Sequence, residues 1–406
     1  MRAIMSNDVK DRRILRRWLL LALVALTTGL LAACSSVPPQ KAPTAPVAVA
    51  APTPPHAVDV RWLRRTLSAD EAADYVGDAA CASCHPQIAK QQARTRHAGT
   101  LRAVTVKEDG SYFHSAQKLV DKTIPATYST LVKGGECLMH MDSTAGKGDV
   151  PATWAIGSGK NARTFLSRAT PGDWAVLRLT YYTGAKRWNY TPAQEPGADL
   201  PTVAGKIQTE AEVVNCLSCH VTVMRAGTGE PDMTRTQPGV GCERCHGPGK
   251  AHVDSFRKGA VKSATPTMEN LHTATPAYIN KLCGACHRDE TNSQAGDPHV
   301  EHDLARFEGV ALARSACYLK SGALSCTTCH DPHHDADPVP AHTDRICLNC
   351  HAGPGKATAP VSAQGRICPV NPTTGCTPCH MPRQAISGIP YARFTQHWIK
   401  VWDNKK

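Results

Sequence analysis

Seven copies of Cys-x-x-Cys-His constrain this chain more than any other feature, because each commits three side chains within five residues to one ligand. The first cysteines are Cys81, Cys216, Cys242, Cys283, Cys326, Cys347 and Cys376, and the second are Cys84, Cys219, Cys245, Cys286, Cys329, Cys350 and Cys379. The pentads end at His85, His220, His246, His287, His330, His351 and His380. With 18 Cys and 19 His in 406 residues, a shuffled chain would hold about 0.04 such pentads. A thioredoxin-like pair or half a zinc site uses two cysteines but requires no histidine directly after the second. The pentad is the attachment signature of c-type haem: two thiols join the haem vinyl groups and the histidine binds the iron. Seven covalently bound haems c, each with iron on its proximal histidine, are the expectation.

That expectation governs the fold. The whole chain has only five Phe, nine Tyr and seven Trp, against 30 Gly and 30 Pro. With so few aromatic side chains, the macrocycles are expected to supply the packing surface, with chain wrapped around them and the haem-free polypeptide largely unfolded. The predicted fold class is a mainly α-helical and loop multihaem protein with low regular secondary structure and a haem-packed core. Residues 162–168, 174–182 and 187–191 alternate apolar and polar side chains between turn residues, which predicts a small antiparallel β meander near 160–192. A short solvated helix is expected from Pro86 towards His97. Successive proximal histidines lie 135, 26, 41, 43, 21 and 29 residues apart, which is no solenoid repeat. The spacing divides the chain into a one-haem region, 61–212, and a dense six-haem region, 213–406.

The N-terminus reads as an export signal. Arg12, Arg13, Arg16 and Arg17 precede a short apolar run, 18–31, too short for an ordinary spanning helix. Leu31-Ala32-Ala33-Cys34 resembles the lipoprotein cleavage box, so residues 1–33 are expected to be removed and Cys34 to carry lipid; a plain secretory signal is the alternative. Residues 34–60, with prolines at 38, 39, 43, 46, 52, 54 and 55, form an extended linker. The expected location is the outer membrane, facing periplasm or exterior. The formal charge of +12 suggests no nucleic-acid partner, because fourteen haem propionates offset most of the basic surplus.

Each iron needs a second axial ligand or an open face, and twelve histidines lie outside the pentads. After His56 in the linker is set aside, the supply exceeds seven, so every iron has the means to be bis-histidine. Met139, Met141, Met224, Met268 and Met381 are the competing ligands. Cys137, Cys317 and Cys368 remain unassigned; two of them pairing in an oxidising compartment would leave one thiol over.

Tyr-Val-Gly-Asp-Ala-Ala-Cys-Ala-Ser-Cys-His with Arg-His97-Ala, Gly-Val-Gly-Cys-Glu-Arg-Cys-His-Gly-Pro-Gly with His252, Ser-Cys-Thr-Thr-Cys-His-Asp-Pro-His333, and Cys-His-Met-Pro-Arg with Phe-Thr-Gln-His397 form a recognisable set. They resemble the multihaem cytochrome family that includes the tetrahaem electron acceptor of hydroxylamine oxidoreductase. The resemblance implies His97, His252, His333 and His397 as distal iron ligands. His342, His299 and His140 complete the candidates. Seven attachment sites exceed the tetrahaem pattern, so neither redox partner nor catalytic activity carries over.

Two functions suit these features. A lipid-anchored electron carrier would pass electrons from periplasmic donors to a terminal or extracellular acceptor through coordinatively saturated irons. The alternative is an oxidoreductase acting on a small nitrogen or sulfur species at one open iron. The pattern suits a single copy, an oligomer or a filament alike.

Overall fold

The computed structural model describes residues 67–402, apart from 145, 169–173, 197–203, 226–230, 260–267, 290–302, 337 and 353–364. The signal segment, Cys34, the linker and His299 lie outside the described residues. All described residues belong to one unit, Pro54–Lys406.

Between the first and second pentads the chain builds a β module of ten strands. These are β1 (Leu101–Ala103), β2 (Leu119–Asp121), β3 (Ala126–Lys133), β4 (Glu136–Ser143), β5 (Gly146–Pro151), β6 (Trp154–Ile156), β7 (Arg163–Arg168), β8 (Trp174–Tyr182), β9 (Arg187–Tyr190) and β10 (Gly205–Gln208). Four of them form the sheet β2-β3-β4-β5. The other six form β1-β6-β7-β8-β10, with β9 also paired to β8, and every pairing is antiparallel. Expected meander segments 162–168, 174–182 and 187–191 correspond to β7, β8 and β9.

The expectation of a mainly α-helical protein with low regular secondary structure is overturned: among the described residues 34% are helical and 24% lie in strands. The physical reason is uneven composition. Phe113, Tyr128, Phe165, Trp188 and Tyr190 gather with Met139, Leu177 and Leu179 in one buried cluster shared by both sheets. Phe113 meets Phe165 and Trp188 edge-on, each at 5.0 Å between ring centres. A haem-poor stretch that owns this many aromatic side chains builds its own core. Alternation fixes the register: Ala126, Tyr128 and Thr130 face inward from β3. Gly134 and Gly135, at φ +63° and +85°, make the two-residue turn between β3 and β4 that requires a positive φ at both positions.

One buried ion pair joins the two sheets. Arg178 of β8 binds Asp121 at the end of β2, and both side chains are 0% exposed. The Arg178 guanidinium also lies 5.3 Å from the ring centres of both Tyr128 and Tyr190.

The other face of the six-stranded sheet positions the second pentad. Leu101, Leu166 and Trp174 pack against Val213 and Leu217 of the helix Glu210–Leu217, which carries Cys216. Thr209 and Glu212 close a reciprocal capping box at its start. Beyond it the described residues form short helices and two small ribbons, and their side-chain clusters are small: Leu304, Val310 and Ala311 form one, Leu282 and Ala285 another. Such clusters are too small to order this region by themselves, which fits macrocycles as its packing surface.

The two parts therefore differ in what orders them. Haem-free protein is expected to retain the strand signal of residues 101–208 in far-ultraviolet circular dichroism and to lose helical signal from the dense region. A featureless coil spectrum would refute this.

Candidate haem-binding sites

In most pentads the two thiols and the histidine share one helical turn. Cys242–His246 and Cys376–His380 are complete short helices, and Pro276–His287 and Pro340–His351 end in their pentads. Residues i, i+3 and i+4 lie on one helix face, so this spacing aims both thiols and the imidazole at one body. Proline at the first position of each longer helix starts it where an N–H has no partner.

Backbone carbonyls orient several rings. Nδ1 of His246 lies 3.2 Å from Glu269 O, that of His351 2.7 Å from Arg366 O, and that of His380 3.0 Å from Lys400 O. A ring that donates from Nδ1 leaves Nε2 as its metal-binding nitrogen. His287 uses a carboxylate instead: Glu308 stands 3.6 Å from its Nδ1 and holds the imidazole pKa above its usual value.

Three pentad histidines each face a second imidazole. Ring centres are 6.0 Å apart for His97 and His287, 6.2 Å for His246 and His333, and 6.3 Å for His330 and His397. Two metal–nitrogen bonds of about 2 Å, with a ring radius at each end, separate imidazoles on opposite sides of one ion by about 6 Å. The residues present thus fit an iron between each pair. Burial pushes the pKa values of His97, His246, His330 and His397 down, which favours the neutral imidazole that binds metal.

A family profile described as cytochrome c554 and c-prime matches residues 185–247, the segment that holds the second and third pentads. The C-type polyheme cytochrome OmcB of Geobacter sulfurreducens is 27% identical over 193 residues, 41% of this chain and 26% of that one. The multiheme cytochrome MtrA of Shewanella baltica is 25% identical over 183 residues, 43% of this chain and 46% of that one. Over part of its length this chain is thus similar to multihaem c-type cytochromes. Its matches span from a quarter to just under half the length of these relatives. The outer cell wall cytochrome OcwA aligns over 80% of both chains with a TM-score of 0.47 and 13% identity.

The structure distributes the other predicted residues unevenly. His252 lies on the helix Lys250–Arg257, its ring 4.9 Å from that of Phe256. His342 lies in the first turn of the helix that ends in His351. His140 sits on β4 in the β module, with its Nδ1 2.7 Å from Asp149. Met139 and Met224 are buried in side-chain clusters. Cys137 is buried in the shared core of the sheets, where burial pushes its thiol up to about 11. None of the described cysteines is in a disulfide.

Sequence reasoning passed over several residues that hold these sites. Glu243, a variable position of the third pentad, is fully buried and accepts from the N–H groups of Val76, Gly77 and Gly249 at 2.8–2.9 Å. Arg244 beside it donates to the carbonyl of Ser218 in the second pentad. Charged residues inside a pentad were the available signal.

Proposed function

We propose that the chain is a heptahaem electron carrier whose irons are mostly bound by two histidines. The three facing imidazole pairs carry this reading, because an iron with two imidazoles offers no open position to a small substrate. In this assignment His287 and His97 hold one haem, His246 and His333 a second, and His330 and His397 a third; the fourteen pentad cysteines form the thioethers. Bound haem supplies one-electron chemistry at iron, at potentials set by the axial ligands and their surroundings.

The protein's part is to hold each ring. The carbonyls of Glu269 and Lys400 and the Glu308 carboxylate fix rings through Nδ1. We place the cytochrome outside the cytoplasm, held at the outer membrane by lipid on Cys34, passing electrons between redox proteins. No described helix is long and apolar enough to cross a membrane.

Electron paramagnetic resonance of oxidised protein with its haem content measured tests the proposal. Seven haems with low-spin signals, unchanged by nitrite or hydroxylamine, are expected. The His246 and His333 planes are inclined by 11° and those of His97 and His287 by 74°, so one rhombic and one highly anisotropic low-spin species should be resolved. A high-spin signal from one haem per chain that shifts with either ligand would instead favour the oxidoreductase.

A further inference from the structure

Three pentad helices begin against a side chain that precedes another pentad, always from the same relative position. The N–H of Cys242 donates to Asp78 Oδ1 at 2.9 Å, and that of Cys326 to Asn280 Oδ1 at 2.9 Å. The N–H groups of Gly375 and Cys376 donate to the two oxygens of Asp344, at 2.8 and 3.0 Å. Asp78, Asn280 and Asp344 stand three residues before Cys81, Cys283 and Cys347, the first cysteines of their own pentads. One element thus links the first pentad to the third, the fourth to the fifth, and the sixth to the seventh.

A separate observation selects the same partners. The thiols of Cys81 and Cys242, of Cys283 and Cys326, and of Cys347 and Cys376 lie within hydrogen-bond reach of each other. The remaining pentad, at Cys216, has Val213 at the corresponding position, and that side chain is buried in the apolar cluster beneath the β module. Its Cys219 reaches Cys286 with no cap of this kind.

Neighbouring residues accommodate the contacts. A Cβ at Gly241 would come within 2.5 Å of the Asp78 carboxylate, so glycine before Cys242 is what lets that carboxylate reach the helix start. Glu243 reciprocates by accepting from Val76 and Gly77, just ahead of Asp78. Asn280 also donates from Nδ2 to Leu324 O at 3.1 Å, gripping the chain on both sides of Ser325. Asp344 is 4% exposed, and a buried carboxylate whose two oxygens each accept a backbone N–H has few other orientations open to it.

We propose that Asp78, Asn280 and Asp344 are positioning residues that clamp six of the seven attachment sites into three fixed pairs, leaving the site at Cys216 outside the scheme. The clamp sets the separation and tilt within each pair, the quantities that govern electron exchange between its members. The proposal rests on the reading of the pentads as haem sites.

The test is exciton coupling in the Soret region of the circular dichroism spectrum, read on full-length protein with its haem content measured. Asp78→Ala, Asn280→Ala and Asp344→Ala, each carrying the same seven haems as the parent, are expected to lose different portions of the coupled signal. Asp344→Asn keeps the side-chain volume and one acceptor, so its signal should fall between those of the parent and Asp344→Ala. Where an alanine variant fails to fold, Asp344→Asn against the parent decides alone: a reduced couplet supports the clamp and an unchanged one overturns it. Unchanged couplets in alanine variants with all seven haems also overturn it. Fewer than seven haems in the parent protein would instead refute the underlying haem count, a result read separately from the couplet.

Discussion

Replacing His97 with alanine is expected to convert one haem per chain from low to high spin, leaving the remaining signals as they were. The His97 ring faces His287 at 6.0 Å, and its backbone is tied in place from two sides. The N–H of Val240 and the hydroxyl of Thr100 both donate to the His97 carbonyl at 2.9 Å, and the His97 ring is hydrogen-bonded to the carbonyl of Pro332. Gly239, at φ +78°, brings its strand so close to Ala98 that any Cβ would collide with the Ala98 carbonyl. With that backbone held, alanine removes the ring without moving a substitute into its place. Added imidazole should restore the low-spin signal. His140→Ala is expected to leave the haem spectrum unchanged, because that ring pairs with Asp149 inside the β module. A low-spin spectrum in His97→Ala identical to the parent would sink the assignment.

The second large effect concerns stability. Asp121→Ala should destabilise the β module by about 3–5 kcal/mol, because it leaves the Arg178 guanidinium buried without its counter-ion. Asp121 also accepts from the N–H groups of Thr123 and Ile124 at 2.8 and 3.3 Å, so the turn after β2 loosens as well. The two tyrosine rings beside Arg178 cannot replace a carboxylate, since an exposed cation–π contact contributes only about 0.5–1 kcal/mol and a desolvated one about 2 kcal/mol. Replacing both members with apolar residues of similar size, Asp121→Leu with Arg178→Met, should cost far less than the single change. Urea unfolding of haem-free protein, followed by the strand signal in circular dichroism, compares the three. Equal midpoints for Asp121→Ala and the parent would show that the pair does not hold the sheets together.

The pentads were legible because their chemistry is local: five consecutive residues state the ligand. The facing imidazoles were not, because His97 and His287, His246 and His333, and His330 and His397 are far apart in the chain, and no short-range pattern records which ring meets which. Motif likeness singled out His97, His252, His333 and His397, but which ring each one meets needed coordinates. Beyond the expected meander of β7, β8 and β9, the rest of the β module was missed for a different reason. Composition averaged over the whole chain concealed that Phe113, Tyr128, Phe165, Trp188 and Tyr190 fall within one stretch. The alternation of Ala126, Tyr128 and Thr130 before Gly134-Gly135 was a hairpin signal in plain view. The likeness to the tetrahaem acceptor family was read from short motifs, and the profile match, to cytochrome c554 and c-prime, covers residues 185–247 alone.

The neighbouring thiols bear on how such a chain survives its own maturation. Outside the cytoplasm, Cys81 with Cys242, Cys283 with Cys326, Cys347 with Cys376 and Cys219 with Cys286 are neighbours that an oxidant could join. A thioether on any of these eight thiols takes one member of its couple out of reach of oxidation. A chain that has missed a single haem therefore offers its spare thiol no partner across the couple, whereas one that has missed both haems of a couple is open to crosslinking in a wrong connectivity. Crosslinks between sites thus need two neighbouring omissions, so the order in which neighbouring sites are filled matters as well as how many are filled.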